Sequence, residues 1–160
     1  MFERFGEFDS AEEINETAGN LRREGDKESL FVLAKENGID KEIAEAFLEG
    51  TLLYLCDPVT AAIGKIETEA GELKPAEIMA DWLEYLKCRC FEDEETAKAV
   101  RRKGKSLKGA IGELLKWSFQ NQIPVEKDIL EAAGVKVRCT LGIPGMARAK
   151  KIMTDYYMGK

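Results

Sequence analysis

Apolar residues recur along this chain at spacings of three and four, and each run is bracketed by a capping residue and a glycine or proline. That period puts the apolar side chains of a run on one face of a helix. Ser10 opens the first run, with Glu13 three residues on to complete a capping box, Ile14, Ala18 and Leu21 as its stripe, and Gly25 as its end. Asp26 caps a second, carrying Leu30, Leu33 and Ala34 and stopping at Gly38. Asp40 caps a third, carrying Ile43, Ala44, Phe47 and Leu48 and stopping at Gly50.

The same punctuation continues. Asp57 and Pro58 start a helix that runs to Leu73, and Pro75 opens another with Ile78, Trp82, Tyr85 and Leu86 on one side. The acidic run Glu92–Glu95 suits the positive end of the next helix, and Arg101, Arg102 and Lys103 suit its negative end before Gly104. Ser106 caps a helix to about Asn121, expected at the centre of the core with Leu107, Ala110, Ile111, Leu114 and Leu115 at helical spacing and Trp117 and Phe119 adding bulk. A short helix ending at Gly134 follows Pro124. Residues 136–141 read as one strand or an extended connector, and a last helix carries Ala149, Ile152, Met153 and Tyr156. One strand cannot form a sheet, so the class is all-α: a compact bundle of about seven or eight helices with at most one short strand. Residues 1–50 read as an acidic three-helix unit and residues 51–160 as the helical main unit, within one continuous domain.

Composition narrows what such a bundle can do. Of 160 residues, 44% are hydrophobic and 34% charged, the latter against roughly 25% in an average soluble protein. No apolar run approaches the roughly 18 residues of a membrane helix. The start, Met1 to Asp9, is acidic and lacks a signal-peptide pattern, which predicts a cytoplasmic protein. Histidine is absent, so Ser-His-Asp and Cys-His triads and histidine-ligated metal centres are excluded, while carboxylate or lysine chemistry stays open. Cys56, Cys88, Cys90 and Cys139 include no C-x-x-C pair, and are read as small buried hydrophobes with no metal or cofactor expected.

Charge is unevenly placed. Residues 1–50 hold 14 acidic and 6 basic side chains, a net −8; residues 51–97 are at −7; residues 98–160, with 14 basic and 5 acidic, are at +9. An acidic face attracts a basic partner such as a channel lined by lysine and arginine, whereas a basic one grips phosphate. Mutual neutralisation and simple solvation account for such polarity equally well. The spacing of the first three helices fits a helix-turn-helix, but its second and third members are acidic and unsuited to a DNA groove. Glu12, Glu13, Glu16, Glu42, Glu45 and Glu49 are the candidate acidic contacts.

Gly104-Lys105-Ser106 imitates the end of a phosphate loop, yet Ala99 stands where the pattern needs its first glycine and a helix is expected in place of the preceding strand. What remains is Arg101, Arg102, Lys103, Lys105 and Lys108 around a helix start, where free N–H groups can help bind phosphate or carboxylate. Glu67, Glu69 and Glu72 are close in sequence, but only the last two share a helical face. Trp82, Tyr85, Trp117, Tyr156 and Tyr157 are read as packing rather than stacking platforms.

Several strings are more individual than these patterns: Phe5-Gly6-Glu7-Phe8-Asp9-Ser10, Leu73-Lys74-Pro75-Ala76-Glu77-Ile78, Arg101-Arg102-Lys103-Gly104-Lys105-Ser106, Leu115-Lys116-Trp117-Ser118-Phe119 and Thr140-Leu141-Gly142-Ile143-Pro144-Gly145. Together they resemble the PcfK-like proteins of conjugative and other mobile elements, a family that includes anti-CRISPR inhibitors of the type II RNA-guided nuclease. The resemblance spans residues 5–159. It implies a small, non-enzymatic protein that disarms a host nuclease by binding it, and carries over no catalytic residue. The alternative is an accessory protein of conjugation that binds DNA or a relaxosome partner through residues 98–160. A metal-dependent carboxylate enzyme is the third class.

Overall fold

The computed structural model describes residues 2–159. The helices are α1 (Ala11–Glu24), α2 (Lys27–Glu36), α3 (Lys41–Leu48), α4 (Pro58–Leu73), α5 (Ile78–Glu92), α6 (Glu94–Arg101), α7 (Leu107–Gln120), α8 (Lys127–Ala132) and α9 (Met146–Met158). Two strands, β1 (Ile123–Pro124) and β2 (Thr140–Leu141), pair antiparallel with Ile123 opposite Leu141. The fold is all-α, as the periodicity predicts. No helix among the described residues is long and apolar enough to cross a membrane.

The caps do what their positions promise. Ser10 accepts the N–H of Glu13 and Asp26 that of Ser29. Asp57 accepts the N–H of Thr60, and Ser106 that of Gly109. The capping box closes one residue early, because Glu13 accepts the N–H of Asp9 rather than that of Ser10. Asp40 stands at the start of α3 but makes no side-chain cap bond.

Burial divides into two apolar clusters that meet along α4. The first joins Ile14 and Ala18 of α1, Leu30 and Leu33 of α2 and Phe47 of α3 to Leu55, Cys56 and Ala61. Its core thus reaches beyond residue 50. The second gathers Ile66 of α4, Trp82 and Leu86 of α5, Val100 of α6, Leu107 and Leu114 of α7 and Met153 and Tyr157 of α9. Neighbouring residues of α4 serve different clusters, Ala61 the first and Ala62 the second. The end of α2 lies directly on α4. A Cβ on Gly64 would stand 2.1 Å from the carbonyl oxygen of Asn37, and one on Gly38 2.3 Å from that of Gly64, so backbone meets backbone there and only glycine fits.

Several expectations are corrected. Residues 136–141 do not form a lone strand: only Thr140 and Leu141 are extended in a ladder, and residues 123–124 supply the partner. Proline contributes no N–H, and the ladder stops after two residues. The fifth helix starts at Ile78, not at Pro75, after Lys74 and Glu77 adopt positive φ. Nine helices stand among the described residues, in line with the bundle of about seven or eight expected, and α8, of six residues, is the shortest. Only the first part of α7 is core. Leu107, Ala110 and Leu114 are buried, whereas Leu115 and Phe119 are exposed. Of the cysteines, Cys56 and Cys90 are buried, Cys139 is half-buried and Cys88 is exposed.

Candidate partner-binding surfaces

The basic turn between α6 and α7 is the first candidate, and the structure reorganises it. Arg101 falls four residues after Ala97, on the buried stripe of α6, and is only 1% exposed. Its Nη2 donates to Asn37 Oδ1 at 2.8 Å, and its guanidinium lies 5.5 Å from the ring centre of Phe2. Burial pulls its pKa below the ordinary arginine value. Arg101 therefore leaves the candidate surface, because the same helical period that puts Ala97 inside puts it inside too.

The backbone donors of the turn are also taken. Leu107 N–H donates to Glu69 at 2.5 Å, and Ser106 N–H to the Tyr156 hydroxyl at 3.1 Å. Lys103 N–H donates to Asp9 and Gly104 N–H to Glu7. Lys105 Nζ donates to the Tyr156 carbonyl at 2.6 Å. The anion expected at this helix start is thus carried by the chain itself: Glu69 of α4 at the helix and the N-terminal segment's Glu7 and Asp9 at the turn. Arg102, Lys103 and Lys108 remain exposed.

Beneath the turn lies a buried charge relay that composition does not announce. Lys65 is 1% exposed; its Nζ donates to Glu7 at 2.6 Å and to the carbonyls of Arg102 at 2.9 Å and Arg101 at 3.5 Å. These bonds close the open carbonyls at the end of α6. Burial raises the pKa of Glu69, partly opposed by the Leu107 N–H and Lys65. The signal was present in the sequence. Lys65 and Glu69 continue the stripe of Ala61, Ala62 and Ile66, so two charges occupy apolar positions.

The second candidate lies on the acidic half. Between α1 and α4, residues 51–57 run as a loop clamped by Asn15, whose Oδ1 accepts the N–H groups of Leu55 at 2.9 Å and Cys56 at 3.0 Å. Asn15 Nδ2 returns a bond to the Cys56 carbonyl at 2.8 Å. Leu55 and Cys56 point inward, and burial pushes the Cys56 thiol up to about 12. The clamp holds the preceding residues outward: Leu53 is 80% and Tyr54 69% exposed. They flank an open groove lined also by Glu12, Ile43, Leu52 and Asp57.

Of the six acidic candidates, Glu12 lines this groove, and Ile43 brings α3 to its wall. Hydrogen bonds at the start of α1, first from its backbone and then from Ser10, hold the Glu12 carboxyl below its ordinary value. Glu16, Glu42 and Glu49 are exposed. Glu13 is engaged with Asp9 and Glu45 with Lys41 at 3.2 Å. Sequence reasoning missed Leu53 and Tyr54, because an apolar pair in a loop carries no period, and read Asp57 only as the cap of α4. Among the described residues, no three Cys, Asp or Glu side chains gather in a way that could hold a metal ion.

No family model, curated protein or solved structure matches the chain. The groove and the basic turn therefore stand on their own geometry.

Proposed function

We propose that this protein is a non-enzymatic inhibitor of a type II RNA-guided DNA nuclease, acting by stoichiometric binding through the acidic groove. The observation that carries the reading is the Asn15 clamp. It fixes Leu53 and Tyr54 outward beside Glu12 and Asp57, within residues 1–97, which carry a net charge of −15. Tyrosine is enriched in binding hot spots, and a loop already held in place loses little freedom on docking. A nuclease of this kind holds nucleic acid in positively charged channels, to which an acidic rim is complementary. The strings that resemble the PcfK-like and anti-CRISPR family support the same partner.

Target-DNA cleavage by guide-loaded nuclease tests the reading. Equimolar protein is expected to suppress cutting, and Leu53→Ser with Tyr54→Ala to weaken that suppression about tenfold or more. Undiminished cutting at large molar excess, across several effectors, overturns it. The exposure of Arg102, Lys103 and Lys108 favours one second reading, an accessory protein of conjugation that binds DNA. Salt-dependent DNA binding abolished by reversing those three charges, with no effect on nuclease, would select it.

A further inference from the structure

The chain between α7 and α9 differs from every other part of the molecule. Residues 121–143 include β1, α8 and β2, yet not one of them is buried; Pro144 is the next buried residue. Ile123, Ile129, Val135, Val137, Leu141 and Ile143 are all exposed, by 39% to 69%. Phe119, at the end of α7 just before the arm, is also 74% exposed. A six-residue helix and a two-residue ladder are too short to hold themselves in water without packing. This arm has its hydrogen bonds, from Val125 N–H to Cys139 and from Thr140 to Gln122. What it lacks is a buried side chain.

We infer that the arm packs against the same arm of a second copy of this chain, forming a symmetric dimer. Two observations select that occupant. The first is area. Summed over the arm and the adjoining Phe119, the exposed apolar residues present on the order of 800 Å², the scale of the roughly 800 Å² each partner gives a standard interface. The second is charge. Residues 121–143 hold three basic side chains, Lys127, Lys136 and Arg138, and three acidic ones, Glu126, Asp128 and Glu131, so the arm is neutral. A neutral arm gains nothing from phosphate. In an isologous contact, it can set its own cations opposite its own carboxylates without like-charge repulsion. Between α8 and residues 135–138 runs a groove of about 570 Å³, in which Val125, Leu130, Val135 and Val137 alternate with Lys127, Glu131, Lys136 and Arg138, so it offers a partner both apolar and charged contacts.

The inference stands apart from the inhibitor reading and is tested without any nuclease. Sedimentation and light scattering across a micromolar concentration series are expected to reach twice the chain mass of 17.9 kDa. The double variant Ile129→Glu with Val137→Glu is expected to stay at the single mass with unchanged far-ultraviolet circular dichroism. Leu53→Asp, on the acidic groove, is expected to leave the dimer intact. Hydrogen exchange of the wild-type protein supplies a readout that needs no variant: arm amides are expected to slow at least tenfold as concentration rises. Three results each overturn the inference: a wild-type protein of single mass at the highest concentration, a double variant that still dimerises, or arm amides whose exchange ignores concentration. DNA or a different protein captured by the monomeric arm would do the same.

Discussion

Two surface segments of this protein expose large apolar side chains, and they do so for opposite physical reasons. In the loop of residues 51–57, Leu53 and Tyr54 face outward because Leu55 and Cys56, just beyond them, are pulled inward by three bonds to Asn15. In residues 121–143, no residue is buried, and only Val125, Leu130, Cys139 and Gly142 are even half-buried. The loop is rigid and its exposure is built, so binding a partner costs it little ordering. The arm is exposed by default, and its order depends on what covers it. Apolar exposure alone does not distinguish a prepared binding anchor from an unfinished core; what lies beneath it does.

The comparison breaks first at the foundation of the acidic half. Lys65 ties the N-terminal segment, through Glu7, to the end of α6. Lys65→Met leaves two carbonyls and a carboxylate without their cation, and is expected to cost about 3 kcal/mol in urea unfolding, the low end of the range for breaking a buried charge pair, because Glu7 stays partly exposed. A loss under about 1 kcal/mol would show that the relay is ornamental. Gly64→Ala comes next. Its new Cβ meets the Asn37 carbonyl, backbone against backbone, and overpacking of this kind costs about 2–3 kcal/mol. Unfolding by denaturant measures it, and wild-type stability in this variant would mean that α2 and α4 can separate freely.

Asn15→Ala sharpens the comparison by making the loop resemble the arm. Three hydrogen bonds vanish and two N–H groups in half-buried surroundings lose their acceptor, at a cost of about 2 kcal/mol. The more specific outcome is in hydrogen exchange. The amides of Leu55 and Cys56 are expected to lose protection while those of α2 keep theirs. Unchanged protection at 55 and 56 would mean that the loop is held by packing of Leu55 alone.

How much of this was legible in the sequence follows from the range of the forces involved. Caps and stripes are local, so Ser10, Asp26, Asp57 and Ser106 announce their helices, and all four accept the bonds expected of them. Sites are long-range. Arg101, read from its neighbours as surface, was already on the buried stripe four residues from Ala97, and its partner Asn37 lies 64 residues away. At the start of α7, where a bound anion was expected, the Leu107 N–H is taken by Glu69 from 38 residues away. The position of Lys65 and Glu69 among apolar residues could have marked them; nothing in the sequence marks Asn15 as a clamp or pairs 123–124 with 140–141.

Glu69 gives a smaller effect with a definite sign. Its folded pKa is raised above the unfolded value by burial, so folding favours the neutral acid more than the unfolded chain does. The stability it contributes is complete below the ordinary carboxylate value, about 4.3. That contribution is lost as pH rises through the higher folded value. Glu69→Gln keeps an acceptor for the Leu107 N–H and removes the ionisation. The variant is expected to flatten the fall in stability above about pH 4.3, with no loss at neutral pH. Denaturant midpoints taken across pH would reveal the opposite, a variant weaker than wild type at pH 7, if the Coulomb pull of Lys65 outweighs burial.

The smallest effect belongs to the arm, and it completes the contrast. Truncating a leucine or isoleucine in a packed core costs about 2–5 kcal/mol, because burial is lost and a cavity is left. Ile129 is 59% exposed on a helix with no buried residue, so neither term applies within one chain. Ile129→Ala is expected to shift the unfolding free energy of the monomer by less than about 0.5 kcal/mol, measured at a dilution where sedimentation shows a single chain. If the arm docks on a second copy, the same substitution becomes costly only at concentrations where the dimer forms, and the stability of the wild type itself rises with concentration. A large loss in the dilute monomer would place Ile129 against the protein's own core and erase the difference between arm and loop.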